Sequence, residues 1–366
     1  FFEQAKIHGD YCEHNNPKYH AWHREYLHGF ENSMRKIPGC EYVTLPYWDF
    51  SKPFPTRLTK SPFDKYKFPH RYGGKPEGYI TERESPAHID GVIEQLVLPY
   101  IGRAKAKKNW QAFHGRFDGA LNNTIIQGHD NAHLNMGNTI RDSTIAAFDP
   151  MFWFFHCNWD RLWWEWQVET GAISRNGLLT TIRKYETNDP QKLTRSYLAF
   201  IDSSEDRYKS LDPFDATTIE TVDLINNYDT IYEKIVPDDF FEEDIFVVSV
   251  SATESIRVES ARVNIRVDGI DRTKIPGSFT VYLIRNNEVV DQRGFFQKNQ
   301  PVKCHNCIEN PLVYFDFDLP LEDISDATFS VQVEPADKSF IGKTIPIEML
   351  GKPSISFSLP ITDELE

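Results

Sequence analysis

Apolar positions repeat with a helical period near the start of the chain. Trp22, Tyr26 and Phe30 are spaced four apart, so they share one face of a helix that we expect to run to about Ile37. Large aromatic residues on one face are typical of a helix that packs against a core. The spacing therefore predicts a helical domain in this part of the chain.

A second apolar run occupies residues 148–167, FDPMFWFFHCNWDRLWWEWQ. Asp149 is a residue type that caps helix N-termini, and Pro150 suits the first helical turn. We therefore expect a helix that starts at this point and carries His156 two turns in. From about residue 170 to 240 the chain is acidic and irregular, with shorter helical segments.

Beyond about residue 240, polar and apolar residues alternate in short segments that are separated by turn residues. This pattern is typical of an antiparallel β-sandwich. The chain is therefore predicted to be an α+β protein of two domains, mainly α-helical over residues 1–239 and a β-sandwich over residues 240–366. The predicted strand segments are DIFVVSVSA, ARVNIRVDG, GSFTVYLIRNN, LVYFDFDL, TFSVQVEPA and SISFSLPI.

Charge and hydropathy narrow the function classes of the 366-residue chain. Lysine and arginine total 40 against 54 aspartates and glutamates, and the net charge of −14 disfavours a nucleic acid as partner. The mean hydropathy is −0.50, and no apolar run reaches the roughly 18 residues of a membrane helix. The glycosylation sequon Asn122-Asn123-Thr124 is an indication of secretion, and the sequence does not otherwise fix the compartment. The sequence does not indicate the oligomeric state.

Histidines are concentrated in two parts of the helical domain. Residues 8–31 contain five of the twelve histidines, and His129 and His133 stand four apart, on one face of a helix. Neutral imidazole is a good ligand for copper, zinc, iron and nickel, and converging helices form such sites. The alternative is that these side chains are solvated or bonded to backbone carbonyls. A zinc-protease motif is excluded, because Asp130 stands where HExxH requires a glutamate.

Five segments in a fixed order resemble one protein family. They are HGDYCEH, WHREY, LPYWDF, HDNAHLNMG and DPMFWFFHCNWDRLWWEWQ. Together they resemble the type-3 dicopper proteins, which are tyrosinases, catechol oxidases and molluscan haemocyanins. The resemblance covers residues 1 to about 170 and implies a four-helix-bundle domain that binds two copper ions and O2. The β-sandwich matches only in kind and position, as a domain that caps the copper site.

The resemblance also implies the metal ligands. The first copper would be bound by His8, His14 and His23, and the second by His129, His133 and His156. His20 and His28 would not be ligands. The Cys-x-His element implies a thioether bond between Cys12 and His14, for which the alternative is a small buried thiol at Cys12.

Two positions depart from the family pattern. Phe155 stands where most enzymes and molluscan carriers have the first of two adjacent histidines, which puts an apolar ring near the mouth of the pocket. Asp130 stands where members that hydroxylate monophenols have an asparagine, and residues 115–128 contain no glutamate. Asp130 is thus either a candidate catalytic base or a residue that orients His129 or a helix end.

Other polar residues are expected to support the scaffold. Arg24 and Asp160, which follow proposed ligands, are expected to form an ion pair across the helices. Cys304 and Cys307 form a CxxC pair, for which a strand-connecting disulfide and a copper-delivery motif are both open.

The implied activity is that of a dicopper polyphenol oxidase, which oxidises o-diphenols to o-quinones with O2. Monophenol hydroxylation is disfavoured by the missing glutamate. The alternative is a reversible oxygen carrier of the haemocyanin kind with the same six ligands. Access separates the two functions, because an oxidase must admit a small phenolic substrate and a carrier need not. The chain is one enzyme-sized unit without the tandem units of molluscan carriers, which favours the oxidase.

Overall fold

A computed structural model of the chain describes residues 1–115, 124–184, 195–200, 206–228, 232, 262–324, 327–337 and 345–358. The predicted domain boundary near residue 240, the first predicted strand segment and the sequon asparagine Asn122 lie outside the described residues. Within them, no helix has both the length and the apolar character needed to cross a membrane.

Helices dominate the described residues up to 228. The two longest, α2 and α7, pack against each other, and their aromatic residues form the centre of the core: Trp22 and Tyr26 are fully buried, and the ring of Phe30 lies 3.9 Å from that of Trp153. The helices are α1 Phe2–Tyr11, α2 Tyr19–Arg35, α3 Pro86–Val92, α4 Leu98–Lys105, α5 Trp110–His114, α6 Ile125–Asn135, α7 Met151–Thr170, α8 Arg175–Arg183, α9 Arg195–Phe200 and α10 Leu224–Tyr228. A π-helical turn, Ile93–Val97, joins α3 to α4, and a short hairpin pairs β1 Ser210–Leu211 with β2 Phe214–Thr217.

Helix α7 begins one residue later than the sequence pattern suggests, with Pro150 at the N-cap. The Asp149 carboxylate accepts the backbone N–H of Met151 at 2.9 Å and pairs with Arg83 at 2.6 Å. At the other end, Gly171 adopts a left-handed conformation (φ 72°) that stops the helix. These two ends define the length of α7, and His156 lies in its second turn.

The C-terminal part is an antiparallel β-sandwich. One three-stranded sheet has the order β6-β3-β8 and the other β5-β4-β7, and the apolar faces of both sheets share one core. The α+β fold class is confirmed. The strands are β3 Arg262–Asp271, β4 Phe279–Arg285, β5 Glu288–Phe295, β6 Leu312–Pro320, β7 Phe329–Pro335 and β8 Gly351–Ser358, and a short helix, α11 His305–Glu309, precedes β6.

Strand β5 is missing from the sequence prediction. It pairs with β4 through a two-residue turn in which Asn286 and Asn287 both have positive φ, 51° and 71°. Asparagine is one of the few residues that tolerate this conformation, and such a turn between two alternating segments is a hairpin signal. The strand leads directly to Phe296, which enters the helical part of the molecule.

The two parts of the molecule meet where β5 packs against α6. Most buried apolar side chains of the C-terminal part, including Phe295, belong to the sandwich core. Phe296 instead packs into the core of the helical part, and among the described residues it is the only C-terminal one that does so.

Candidate metal centre

Six buried histidines form two groups of three. The first joins His8 of α1, His14 of the α1–α2 loop and His23 of α2, and the second joins His129 and His133 of α6 with His156 of α7. Within each group, one ring nitrogen of every histidine lies within 4.8 Å of the others. The structure thus brings together the two sets of residues that the resemblance implies as ligands, each at a spacing that suits one metal ion.

The two groups adjoin and form one centre. The rings of His23 and His156 stack at 4.5 Å with an interplanar angle of 5°, and those of His14 and His129 are 5.6 Å apart. The Nε2 atoms of His133 and His156 are 3.3 Å apart. Two ions held by the two triads would therefore be neighbours.

Hydrogen bonds fix the orientation of most of these rings. Because a carbonyl oxygen can only accept, a ring nitrogen that contacts one carries the proton. That leaves the Nε2 atoms of His8, His23 and His129 buried without a hydrogen-bond partner, as expected of nitrogens that face a metal ion. The Nδ1 contacts are His8 to the Ser143 carbonyl at 3.0 Å, His23 to the Tyr19 carbonyl at 2.8 Å, His133 to the Ile140 carbonyl at 2.7 Å, and His129 to the Asp130 carboxylate at 2.8 Å.

Burial lowers the pKa of all six imidazoles, and the neighbouring histidines reinforce the shift for most of them. For His23 and His133 the pKa falls to about 3, even though their backbone hydrogen bonds act in the opposite direction. The rings are therefore neutral near pH 7, which is the form that binds metals. A set of neutral, buried imidazoles with unpartnered nitrogens fits a pair of copper ions.

Arg24 of α2 and Asp160 of α7 form the expected ion pair. Arg24 Nε donates to Asp160 Oδ1 at 2.7 Å, and the guanidinium also lies 3.8 Å from the ring of Trp163. The other Asp160 oxygen accepts the hydroxyl of Tyr232 at 2.7 Å, and Arg24 Nη1 donates to the side-chain oxygen of Gln167 at 3.0 Å. This buried network joins α2 to α7, the helices that carry His23 and His156.

Both carboxylate oxygens of Asp130 make contacts. One lies against His129 Nδ1, and the other accepts the backbone N–H of Phe296 at 2.9 Å. Asp130 therefore both orients a candidate ligand and binds the backbone of Phe296. Its role as a catalytic base stays a prediction.

Phe155 is fully buried in the wall of the second triad. Its ring lies 5.1 Å from that of His133 and 6.0 Å from that of His129, and it packs against Phe50 and Trp159 on the other side. The ring thus makes the surroundings of the centre more apolar.

Phe296 covers the centre. Its ring is nearly parallel to that of His133 (19°) at a centroid distance of 4.0 Å, and it lies 4.8 Å from His14 and 5.9 Å from His129. The family resemblance implies a capping domain but does not indicate Phe296. The signal was the pair Phe295-Phe296 after an alternating segment, because adjacent strand residues point to opposite faces.

The remaining predicted positions lie outside both triads. His20 is buried among aromatic rings, 5.3 Å from that of Trp163, and His28 is half-buried and contacts Asn32. Cys12 is a buried thiol at the end of α1, and its bond to His14 stays a prediction.

Cys304 and Cys307 form a disulfide. It closes a single turn at the start of α11 and does not connect two strands. Cys304, Cys307, Cys12 and His14 line one small cavity between the two parts of the molecule.

Comparisons with known proteins agree with this geometry. The family model for the common central domain of tyrosinase matches residues 1–92 and 59–169, which include all six histidines. A tyrosinase of Hahella sp. is 23% identical over 439 aligned residues, covering 87% of this chain and 76% of that protein. The structure of a tyrosinase from Burkholderia thailandensis is similar with a TM-score of 0.68 at 19% identity, covering 98% of this chain and 91% of that one. A functional unit of octopus haemocyanin is similar with a TM-score of 0.58 at 15% identity, covering 96% and 86%.

Proposed function

Starting from the membership of this chain in the type-3 copper proteins, the family of tyrosinases, polyphenol oxidases and haemocyanins, we propose that it is a dicopper polyphenol oxidase. Its reaction is the oxidation of o-diphenols to o-quinones with O2. The described form is latent, because Phe296 occupies the place where a substrate ring would bind.

The six histidines would hold two copper ions, which supply the exchange of electrons between a diphenol and O2. The protein supplies the geometry and excludes water. Backbone carbonyls hold His8, His23 and His133 with one nitrogen toward the centre. The Asp130 carboxylate orients His129 in the same way.

The position of the Phe296 ring carries the proposal. An aromatic ring fits over the centre, stacked on His133 at 4.0 Å, in a pocket otherwise lined by imidazoles and by Phe155. A diphenol ring of similar size can take the same place when Phe296 leaves. Diphenol oxidation is favoured over monophenol hydroxylation, because residues 115–128 contain no glutamate and one oxygen of Asp130 is engaged by His129.

A reversible oxygen carrier is the second candidate. The observation that favours it is the closure itself, because a fully buried Phe296 admits O2 more readily than a phenol. In a carrier this closure would be permanent.

Catechol oxidation by the copper-loaded chain and its Phe296→Ala variant tests the proposal. We expect the variant to oxidise catechol at least tenfold faster than the parent, because the substrate position is vacated. Phe296→Leu keeps an apolar side chain over the centre and is the matched control, which should stay close to the parent. Oxygen uptake that reverses when the oxygen pressure falls, without o-quinone from either variant, would replace the oxidase by the carrier.

A further inference from the structure

Residues 294–296 lie on α6 as an extended strand whose backbone is bound by side chains. The N–H of Gly294 donates to Asn131 Oδ1 at 2.8 Å, and its carbonyl accepts from Gln127 Nε2 at 3.0 Å. The N–H of Phe296 donates to Asp130 Oδ2 at 2.9 Å, and its carbonyl accepts from the Asn15 side-chain amide. Both polar backbone groups of both residues are therefore matched, as when a peptide adds to the edge of a sheet.

The polar groups that bind this strand are held in place by the helical part itself. Asn131 Nδ2 donates to the Leu96 carbonyl at 3.0 Å, so its oxygen points toward the strand. Gln127 Nε2 also donates to Asn131 Oδ1 at 2.9 Å. Gln127, Asp130 and Asn131 are at most 1% exposed. We call the surface formed by Asn15, Gln127, Asp130 and Asn131 the strand groove.

Side-chain requirements differ at the three positions of the bound strand. A Cβ atom at Gly294 would lie 3.0 Å from Asn131 Oδ1 and 3.1 Å from the Asp130 carbonyl, closer than ordinary contact, so a side chain fits here only if these neighbours shift, and the position favours glycine. The next side chain, Phe295, points away into the sandwich core. The third, Phe296, enters the centre. The strand groove therefore favours the pattern glycine, any residue, aromatic residue.

We propose that the strand groove is a substrate-binding site for polypeptides, and that the natural phenol is the side chain of an extended Gly-X-Tyr segment in its ortho-dihydroxylated form. This inference rests on the oxidase function and names its substrate class. The backbone contacts place the third side chain over His133. The residue at X faces outward once residues 294–296 have left the groove. Such a groove gives no advantage to a free diphenol, which has no backbone to bind.

The reaction balances without a further reductant. Each dihydroxyphenyl side chain gives up two electrons and two protons and becomes an o-quinone that stays on the peptide. O2 takes up four electrons and four protons and is released as two molecules of water, so two side chains are oxidised for each O2.

Binding of non-reactive peptides to an uncapped full-length chain tests the site. Gly294→Val should displace the strand from the groove, because the added atoms collide with Asn131 and the Asp130 backbone, while valine suits strand β5. Gly294→Ala is the milder second variant if the first folds poorly. The probe is acetyl-RGFFQ-amide, the sequence of residues 293–297, and calorimetry on the copper-loaded variant measures its dissociation constant.

We expect the probe to bind the variant at least tenfold more tightly than two matched peptides do. One replaces glycine by valine, and the other carries an N-methyl group on the second phenylalanine and so lacks the N–H that Asp130 accepts. The parent chain, whose groove is filled, should bind none of them. Equal affinity of the three peptides, or no binding of the probe, overturns the inference.

Catechol oxidation by the same variant separates this inference from the oxidase function. If free catechol is oxidised and the probe neither binds nor inhibits, the strand groove binds only residues 294–296 of the chain itself, and the proposed oxidase function is retained. If the probe binds and catechol is not oxidised, the oxidase function fails while the groove remains a peptide site.

Discussion

Acid should unfold the copper-free chain through its buried histidines. In the unfolded chain a histidine binds a proton below about pH 6.5. In the folded chain burial keeps His23 and His133 neutral until about pH 3. The unfolded state thus binds more protons throughout this window, so stability is fully present above pH 6.5 and is lost as the pH falls.

The magnitude follows from the two pKa values. Each histidine lowers the unfolding free energy by about 1.4 kcal/mol per pH unit inside the window. Because the window begins at about pH 6.5, the loss between pH 7 and pH 5 is about 2 kcal/mol per histidine. His23 and His133 together therefore remove about 4 kcal/mol, and the other four imidazoles shift in the same direction. Since ordinary domains are stable by about 5–15 kcal/mol, the copper-free chain should be close to unfolding at pH 5.

Urea unfolding of the copper-free chain at pH 7 and pH 5, followed by tryptophan fluorescence, measures this loss. The variant His23→Gln cannot take up the proton, so the difference in unfolding free energy between the two pH values should shrink by about 2 kcal/mol. His305→Gln is the control, because the His305 side chain is 75% exposed and should leave the difference unchanged. If His23→Gln and the parent lose the same free energy, the buried imidazoles do not govern the acid response.

Three further outcomes are expected. The reconstituted parent should contain two copper ions per chain by metal analysis and His133→Ala about one; one or fewer in the parent would contradict a dinuclear centre. Asp160→Asn leaves a buried guanidinium without its counter-charge and should lower the unfolding free energy by about 3 kcal/mol. The control Asp206→Asn, in an exposed pair, should change it by less than about 1 kcal/mol. Equal effects of the two substitutions would show that the buried network does not stabilise the fold. Peptide mass spectrometry of the copper-loaded, oxygen-exposed chain should find the peptide that contains Cys12 and His14 lighter by two hydrogens. A Cys12 thiol that still reacts with an alkylating reagent would refute the thioether.

The helical ligands could be predicted because their geometry is local. His129 and His133 are four apart on α6, and Asp149 marks the start of the helix that carries His156. His14 lies on a loop, where spacing predicts no direction for the side chain, and only the resemblance to a family indicates it. The backbone partners of the rings could not be predicted from the sequence either. A carbonyl such as that of Ser143, 135 positions from His8, has no residue-type signature.

The cap shows a different limit of sequence reasoning. The alternating segments predict the sandwich, but the contact between Phe296 and His133 joins residues far apart in the chain. Its position depends on the hairpin turn at Asn286 and Asn287, on the register of β5 and on the fit of Gly294 against α6. Each of these has a recognisable local signal, whereas their combination in space does not.

The closure of the centre has a consequence for how the protein matures. All six imidazoles are at most 8% exposed, and the Phe296 ring lies directly over them. Because Phe296 packs over the centre, we expect copper to enter more readily while the strand groove is empty. We therefore expect copper uptake to precede the docking of the β-sandwich during assembly. A chain whose β-sandwich docks while copper is scarce should take up the metal slowly until Phe296 leaves the centre.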